Sequence, residues 1–370
     1  MQQRVIISQD IEHDLAQAIA ETEHDRVFVL TDDITQECCL PKVAVLFAKH
    51  NATIITIRHD DTNKTLATLA DVWTALQRGG ATRHSLLVNL GGGMVTDLGG
   101  FAAATFKRGI NFINIPTTLL AMVDAAVGGK TGINFGGLKN EVGAFANARY
   151  VIVNTCFLDT LDTANLCSGY AEMLKHSLIS NAQMWAEHVN FDILQPDLAE
   201  LQRMVAASIA VKEHIVADDP HEHGIRKALN FGHTIGHALE EFSMQQQGGA
   251  VVSARLLPLA KARTAPKNTL LHGYAVAFGL IGELYISARK AGFPTARLHQ
   301  TARFIRENYG AVAFTCDDYP TLLNLMRHDK KNTSDTINFT LLHDIGDIRI
   351  NQTATDEEIR EALDFIREGY

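Results

Sequence analysis

The sequence predicts an α/β domain with a mostly parallel sheet over residues 1–155, followed by a mainly α-helical domain over residues 156–370. Two observations support this prediction: strands and helices alternate in the first half, and helical periodicity dominates the second. The β-branched runs lie at about 4–7, 27–32, 52–57, 85–90, 111–116 and 150–154, with helix-like segments at about 10–23, 35–50 and 63–79. Such alternation predicts a parallel sheet with helices on both faces, which binds ligands at the carboxyl ends of its strands.

The second half carries the 3.6-residue periodicity of amphipathic helices. Helices are predicted at 163–181, 183–193, 197–217, 227–243, 271–291, 296–309, 319–327 and 356–368, with a short strand pair at 337–342 and 345–350. Residues 244–270 are polar, basic and poorly periodic, which indicates an inserted loop. We expect the active site in a cleft between the two domains.

The composition of the chain is typical of a globular enzyme and argues against several other classes of protein. Of 370 residues, 46% are hydrophobic and 20% are charged, values that are typical of a globular enzyme. The net charge of -9, without a basic stripe, argues against nucleic acid as the main ligand. The sequence shows neither an apolar run of membrane-spanning length nor a signal-peptide pattern. Five cysteines without a CxxC motif are typical of reduced thiols, so we expect a cytoplasmic protein.

A glycine cluster, LLVNLGGGMVTDLGGF, occupies residues 86–101 between a predicted strand and a predicted helix. Glycines in this position let backbone N–H groups approach a pyrophosphate at the positive end of the helix. The spacing differs from GxGxxG, so the common dinucleotide fingerprint is absent. A tight turn between strand and helix is the alternative interpretation.

Polar residues follow in a glycine-containing stretch that we predict to be rich in loops, residues 114–145. Lysines beside glycines suit contact with an anion or a nucleotide, whereas each lysine taken singly is more often only a solvated surface residue. The polar members of this stretch are Thr117, Thr118, Asp124, Lys130, Thr131, Lys139 and Asn140.

His233 and His237 stand four residues apart in a predicted helix and therefore share one face. Such a pair can indicate a metal site, an acid–base couple or two polar residues at the edge of a core. Glu172 lies on an earlier helix, beside Lys175 with which it could form an ordinary ion pair, and His272 lies at the start of a later helix. Two histidines and a glutamate suit a divalent metal with open positions. Spacing alone leaves these alternatives open.

Six motifs in order give the chain a resemblance to the 3-dehydroquinate synthases, members of the sugar phosphate cyclase superfamily. They are GGGMVTDLGGFAAATFKRG, IPTTLLAMVDAAVGGKTGIN, LKNEVGAF, GYAEMLKHSLI, ALNFGHTIGHALE and LLHGYAVAFG. The resemblance implies a Rossmann-like first domain, a helical second domain, bound NAD, one divalent metal (zinc or cobalt), and a homodimer. It also implies a sugar phosphate substrate that is transiently oxidised by NAD, loses phosphate, is reduced again, opens, and closes by an aldol step.

The resemblance also implies roles for individual residues. The metal ligands would be Glu172, His233 and His272, and the catalytic residues would be His237, Lys130, Asp124, Lys175 and Glu222. The substrate contacts would be Arg108, Lys139, Asn140, Lys212, Arg226, Asn230 and one of Lys330 and Lys331. The NAD contacts would be Asp32, Lys64, Gly93, Met94, Val95, Thr96, Asp97, Thr117, Thr118, Lys130, Lys139, Phe157, Leu158, Asp159 and Thr160.

The chain departs from the family pattern in three places. Tyr274 stands where the family often has a glutamate, HDDTNKT at 59–65 replaces a stretch that usually resembles D-G-E, and residues 244–270 separate His237 from His272 by more than the usual distance. Three other functions remain as alternatives: another sugar phosphate cyclase, a metal-dependent alcohol or glycerol dehydrogenase, and a non-catalytic nucleotide-binding module.

Overall fold

A computed structural model of the chain describes residues 3–246, 269–328 and 336–369. The chain forms two compact units. The first comprises Met1–Leu161 and Asp197–Ile209, and the second comprises Asp162–Pro196 and Ala210–Tyr370. Of the inserted stretch predicted at 244–270, residues 247–268 lie outside the described residues.

The first unit contains the predicted parallel sheet. Its strands are β1 (Arg4–Ile7), β2 (Val27–Asp32), β3 (Thr53–Ile57), β4 (Leu86–Gly91), β5 (Asn111–Pro116) and β8 (Tyr150–Val153), in the spatial order β1-β8-β5-β4-β2-β3. Every neighbouring pair is parallel. The chain leaves β2 toward β3 and then returns to β4 on the other side of β2, so the carboxyl ends of β2 and β4 flank a topological switch point. The predicted α/β fold class is confirmed.

Helices α1 (Ile11–Glu21), α2 (Asp33–Cys38), α3 (Ala44–Lys49), α4 (Leu66–Arg78) and α5 (Gly93–Thr105) alternate with these strands. Strand β4 is buried along its whole length, and α5 is also largely buried. A Cβ atom on Gly99 of α5 would lie 2.1 Å from Oδ1 of Asn89 on β4. Glycine therefore lets α5 pack directly against the strand that it follows.

The prediction of loops is wrong for residues 130–145. Strands β6 (Lys130–Phe135) and β7 (Leu138–Phe145) form an antiparallel hairpin. Gly136 and Gly137 make its turn with φ angles of 60° and 85°, which glycine adopts without strain. The glycines and charged residues within these strands weaken the apolar alternation that normally indicates a strand.

The second unit is mainly helical, as predicted. Its helices are α6 (Thr163–Leu178), α7 (Ala182–Val189), α9 (His233–Gln245), α10 (His272–Lys290), α11 (Thr295–Tyr309), α12 (Tyr319–Arg327) and α13 (Asp356–Glu368), and β9 (Asn338–Asp344) pairs with β10 (Asp347–Thr353). Helix α8 (Leu198–Asp218) has its first part in the first unit and its remainder in the second.

The helix predicted at 227–243 is wrong at its start. Residues Ile225–Asn230 form a 3-10 helix, and α9 begins only at His233. Gly232 breaks the helix because its φ angle of 80° is left-handed. His233 is therefore the first residue of α9, while His237 lies one turn further on.

Glycines bring α10 close to two other segments of the second unit. A Cβ atom on Gly273 would lie 1.8 Å from the carbonyl oxygen of Ser168 on α6, and one on Gly279 would lie 1.9 Å from that of Gly232. Real Cβ contacts are never this short, so larger residues would force these segments apart. No helix in the described part of the chain is long and apolar enough to span a membrane.

Candidate functional site

Glu172, His233 and His272 meet in the second unit, although they come from three different helices. Their potential ligand atoms all lie within 4.8 Å of one another. Oε1 of Glu172 is 3.3 Å from Nε2 of His233 and 3.6 Å from Nε2 of His272. One carboxylate and two imidazoles converge on the same small volume.

In both histidine rings, Nδ1 contacts an oxygen atom, so the orientation of each ring is fixed. Nδ1 of His233 lies 3.1 Å from the carbonyl oxygen of Phe231, and Nδ1 of His272 lies 2.9 Å from Oε2 of Glu240. A carbonyl or carboxylate oxygen accepts a hydrogen bond, so each Nδ1–H donates and each Nε2 points toward Glu172. This arrangement is the usual way in which proteins orient histidine ligands toward a metal.

The electrostatics of Glu172 favour its charged form. Burial opposes that charge, but Lys175, His233 and His272 outweigh it and hold the pKa of Glu172 well below its ordinary value. Lys175 Nζ contacts Oε2 of Glu172, and both side chains are buried. The carboxylate is thus ready to bind a cation at neutral pH.

His272 is charged when no metal is bound. Burial lowers the pKa of its ring, but the carboxylates of Glu240 and Glu172 outweigh this effect and raise the pKa to about 10. A cation that binds Nε2 would therefore have to displace a proton.

The residues fit a divalent metal of the zinc type. An O-donor and two N-donors match the ligands that such ions take in sites with open positions. Oε1 of Glu172 faces Nε2 of both His233 and His272, while Oε2 contacts Lys175.

His237 belongs to the same cluster but differs in position. Its ring centroid lies 5.2 Å from that of His233 and 5.8 Å from that of His272. The ring is half-buried, and His237 is absent from the three-residue set whose ligand atoms converge.

Glu222, Arg226 and Asn230 lie on the segment that leads to α9. Asn230 Nδ2 donates to Oε1 of Glu222 at 2.7 Å, and the buried Arg226 donates to the carbonyl oxygen of Pro220 at 2.6 Å. Asp219 shapes this segment by accepting backbone N–H bonds from residues 223, 224 and 226 at 3.0, 2.6 and 3.1 Å. Lys212 lies buried on α8.

The glycine cluster lies at the switch point of the sheet in the first unit. Gly91 ends β4, Gly92 caps α5, and the first turn of α5 contains Gly93, Met94, Val95, Thr96 and Asp97. A Cβ atom on Gly92 would lie 3.1 Å from Cγ2 of Thr118. The turn thus presents backbone N–H groups beside Thr117 and Thr118, which follow β5.

Lys64 and Asp97 form a buried ion pair in this region. Lys64 Nζ lies 2.5 Å from Oδ2 of Asp97 and also contacts Oδ1 of Asn140 on the hairpin. Burial raises the pKa of Asp97, and Lys64 opposes that rise. The pair connects the residues before α4, the first turn of α5 and β7.

The remaining predicted residues of the first unit lie on strands and on the short helical segments between them. Asp32 ends β2, and its Oδ1 caps α2 through the N–H groups of Ile34 and Thr35 at 3.0 and 2.8 Å. Phe157 and Leu158 are buried after β8, whereas Asp159 and Thr160 are exposed there.

The predicted catalytic and substrate-binding residues of the first unit lie elsewhere. Asp124 lies in the π-helix Ala121–Ala125, while Arg108, Lys130 and Lys139 are exposed. Lys330 and Lys331 lie outside the described residues.

Two buried carboxylates near the cluster were missed by the sequence reasoning. Glu240 is seven residues after His233 and three after His237, so helical spacing placed it on the histidine face and could have identified it. Glu283 of α10 accepts backbone N–H groups of Gly232, Thr234 and Ile235. No local pattern indicates Glu283, because its partners belong to another element.

Comparison with known proteins links this geometry to one family. The model described as the N-terminal part of 3-dehydroquinate synthase matches residues 54–168, and the C-terminal one matches 169–257 and 260–332. A 3-dehydroquinate synthase of Parabacteroides distasonis is 50% identical over 369 residues, which is 100% of this chain and 99% of the relative.

Solved structures show the same fold. A 2-epi-5-epi-valiolone synthase from Streptomyces hygroscopicus subsp. jinggangensis, with NAD+ and Zn2+ bound, is 24% identical with a TM-score of 0.82, covering 100% of this chain and 98% of that one. A 2-deoxy-scyllo-inosose synthase complexed with carbaglucose-6-phosphate, NAD+ and Co2+ is also 24% identical, with a TM-score of 0.80 and coverage of 100% and 96%. The two matching family models and the full-length relative show that the chain belongs to the 3-dehydroquinate synthase family.

Proposed function

We propose that the chain is a 3-dehydroquinate synthase, which converts 3-deoxy-D-arabino-heptulosonate 7-phosphate into 3-dehydroquinate and phosphate. This is the second step of the shikimate pathway to aromatic amino acids, and the enzyme would be a phosphate-eliminating carbon–oxygen lyase. The observation that carries the proposal is 50% identity to a 3-dehydroquinate synthase over the full chain. The convergence of Glu172, His233 and His272 supports it.

The proposed cofactors are NAD and one divalent metal, zinc or cobalt. When bound, NAD would accept and return a hydride, and the metal would act as a Lewis acid. The metal would be held by Glu172 and by Nε2 of His233 and His272. NAD would bind at the switch point of the first unit, with its pyrophosphate at the N-terminus of α5 and further contacts from the residues after β2, β5 and β8. The first unit would thus bind NAD, and the second the metal and substrate.

The other polar residues would bind the substrate and move protons. Arg108, Lys139, Lys212 and Arg226, with Lys330 or Lys331, would offset the charges of the phosphate and carboxylate groups and orient the sugar ring. Asn140 and Asn230 would donate hydrogen bonds to it. His237 would transfer a proton through its imidazole, with Lys130, Asp124, Lys175 and Glu222 as the other proposed catalytic residues.

Phosphate release tests this function. The purified chain, supplied with NAD and zinc or cobalt, should release phosphate from the heptulosonate 7-phosphate without net accumulation of NADH. Phosphate release from a heptulose 7-phosphate but not from the heptulosonate would instead identify another sugar phosphate cyclase. NADH that accumulates in step with substrate consumption would identify a dehydrogenase.

We also propose a cytoplasmic homodimer. All five cysteines are free thiols, which is typical of proteins from reducing compartments. Light scattering of the purified chain would measure twice the chain mass of 40.6 kDa for a dimer, and a value near the chain mass would contradict the dimer.

A further inference from the structure

Glu283 caps the helix that carries the proposed metal ligand His233. The Glu283 side chain is fully buried on α10. Its Oε2 accepts the N–H of Gly232 at 2.7 Å, and its Oε1 accepts those of Thr234 and Ile235 at 2.9 and 3.2 Å. A single carboxylate thus binds three backbone groups on either side of His233.

This cap replaces one that α9 lacks. Most helices begin with a residue whose side chain accepts an N–H of the first turn, and those N–H groups otherwise remain unpaired. The N-cap of α9 is Gly232, which has no side chain. Glu283 supplies the missing acceptor from a neighbouring helix and places a carboxylate at the positive end of α9.

We propose that Glu283 is a positioning residue for the metal centre, an inference that rests on the proposed metal site. The direction of the His233 ring depends on the backbone at its own position, since His233 is the first residue of α9. The carbonyl oxygen of Phe231 holds Nδ1 of the ring, and Glu283 holds the backbone on both sides of the residue. Glu283 therefore fixes Nε2 of His233 in the direction of Glu172 before a cation arrives.

Glu283→Gln is the most specific test. The glutamine keeps the shape of the side chain but has only one acceptor atom. If its oxygen remains with Thr234 and Ile235, its NH2 group meets the N–H of Gly232, so two donors face each other. The backbone immediately before His233 then shifts, while the core keeps its volume.

Zinc affinity distinguishes positioning from a purely structural role. The zinc dissociation constant of the metal-free protein would be measured by competition with a chromophoric chelator, next to its unfolding midpoint in urea. We expect Glu283→Gln to bind zinc about tenfold more weakly or worse, as do other changes behind metal ligands. Glu283→Asp keeps both oxygens on a shorter side chain, and it should lie between wild type and Glu283→Gln.

Ser287→Ala is the matched control. Ser287 is buried on the same helix, where its hydroxyl donates to the carbonyl oxygen of Glu283 and accepts the N–H of Leu342. Its loss should lower the unfolding midpoint and leave zinc affinity unchanged. If Glu283→Gln and Glu283→Asp behave like Ser287→Ala, the positioning role is wrong. If wild type itself binds no zinc, the metal site is wrong and the proposal fails with it.

Discussion

Nδ1 of His272 donates to Oε2 of Glu240 across 2.9 Å, while Nε2 of the same ring points at Glu172. The ring is held between two carboxylates, one of which is a proposed metal ligand and the other its support. Glu240 lies on α9, the helix that also carries His233 and His237. Helix α9 therefore contributes one proposed ligand directly and orients a second one.

Glu240→Gln should weaken zinc binding about 10- to 100-fold, the usual effect of removing the carboxylate behind a histidine ligand. The amide can still accept from Nδ1, but a neutral oxygen supports the zinc-bound imidazole less strongly than a carboxylate does. Zinc affinity would be measured by chelator competition, and turnover should recover with excess zinc. Glu241→Gln is the control, because Glu241 is the exposed neighbour on the same helix. Equal zinc affinity of wild type and Glu240→Gln would contradict the role of Glu240.

Zinc binding should release a proton from His272. The pKa of its ring is raised from 6.5 to about 10, so the metal-free ring is charged at pH 8 and must lose its proton to bind zinc. Release from this ring should disappear as the pH rises above about 10, where the ring is already neutral. Calorimetry in buffers with different ionisation enthalpies counts the protons. In Glu240→Gln the ring should lose its proton at lower pH, so an unchanged proton count at pH 8–10 would argue against this assignment.

Substitutions of His233 and His237 should have different effects on metal binding and turnover. His233→Ala and Glu172→Ala should abolish zinc binding and activity, because both residues belong to the converging set. His237→Ala should keep zinc and lower kcat by about 10²- to 10⁴-fold, the usual contribution of a general acid or base. Metal analysis after dialysis and steady-state kinetics check both statements. Equal loss of metal from all three variants would contradict this division of roles.

Gly273→Ala should displace the helix that carries His272. A Cβ atom would lie 1.8 Å from a backbone oxygen of α6, so the two helices must move apart at a cost of about 1–3 kcal/mol. Both the unfolding midpoint and zinc affinity should fall. Gly282→Ala on the same helix is the control, since the atoms nearest to a Cβ there are the flexible side-chain ends of Ile235 and Ile366. A Gly273→Ala protein with wild-type zinc affinity would show that this close approach does not position His272.

Lys64→Met should impair NAD binding without affecting zinc. The substitution removes the cation that opposes the effect of burial on Asp97, so the pKa of this carboxyl should rise further and the first turn of α5 loses its ion pair. The NAD dissociation constant, measured by fluorescence titration, should rise at least tenfold, and zinc affinity should match wild type. Lys290→Met is the control, because Lys290 pairs with Glu358 at 2.9 Å and neither residue is a proposed NAD contact. NAD binding that is equally strong in Lys64→Met would remove Lys64 from the proposed NAD site.

Local sequence patterns correctly predicted the six parallel strands and most of the helices. The six parallel strands follow from β-branched runs, and α12 and α13 were predicted to the residue. The hairpin of β6 and β7 was not predicted, because its strands contain glycines and charged residues that hide the apolar alternation of a strand. Its pairing is a property of the folded chain. The start of α9 was misplaced because Gly232 breaks the helix while the periodicity continues through it.

The residues of the candidate site could also be predicted only in part from the sequence. The shared face of His233 and His237 was evident from their spacing, and the resemblance to a known family added Glu172 and His272 from distant positions. Glu283 could not be found in this way, because it acts on the backbone of another helix and carries no motif of its own. Close packing of α10 through Gly273 likewise depends on where α6 lies in space.

The most direct test of the metal centre is anomalous diffraction from crystals of the zinc-loaded protein. Zinc should lie at about 2.0–2.2 Å from a Glu172 oxygen and from Nε2 of both His233 and His272, with His237 beyond coordination distance. A zinc ion coordinated by His237 in place of His233 or His272, or one bound away from Glu172, would contradict the account.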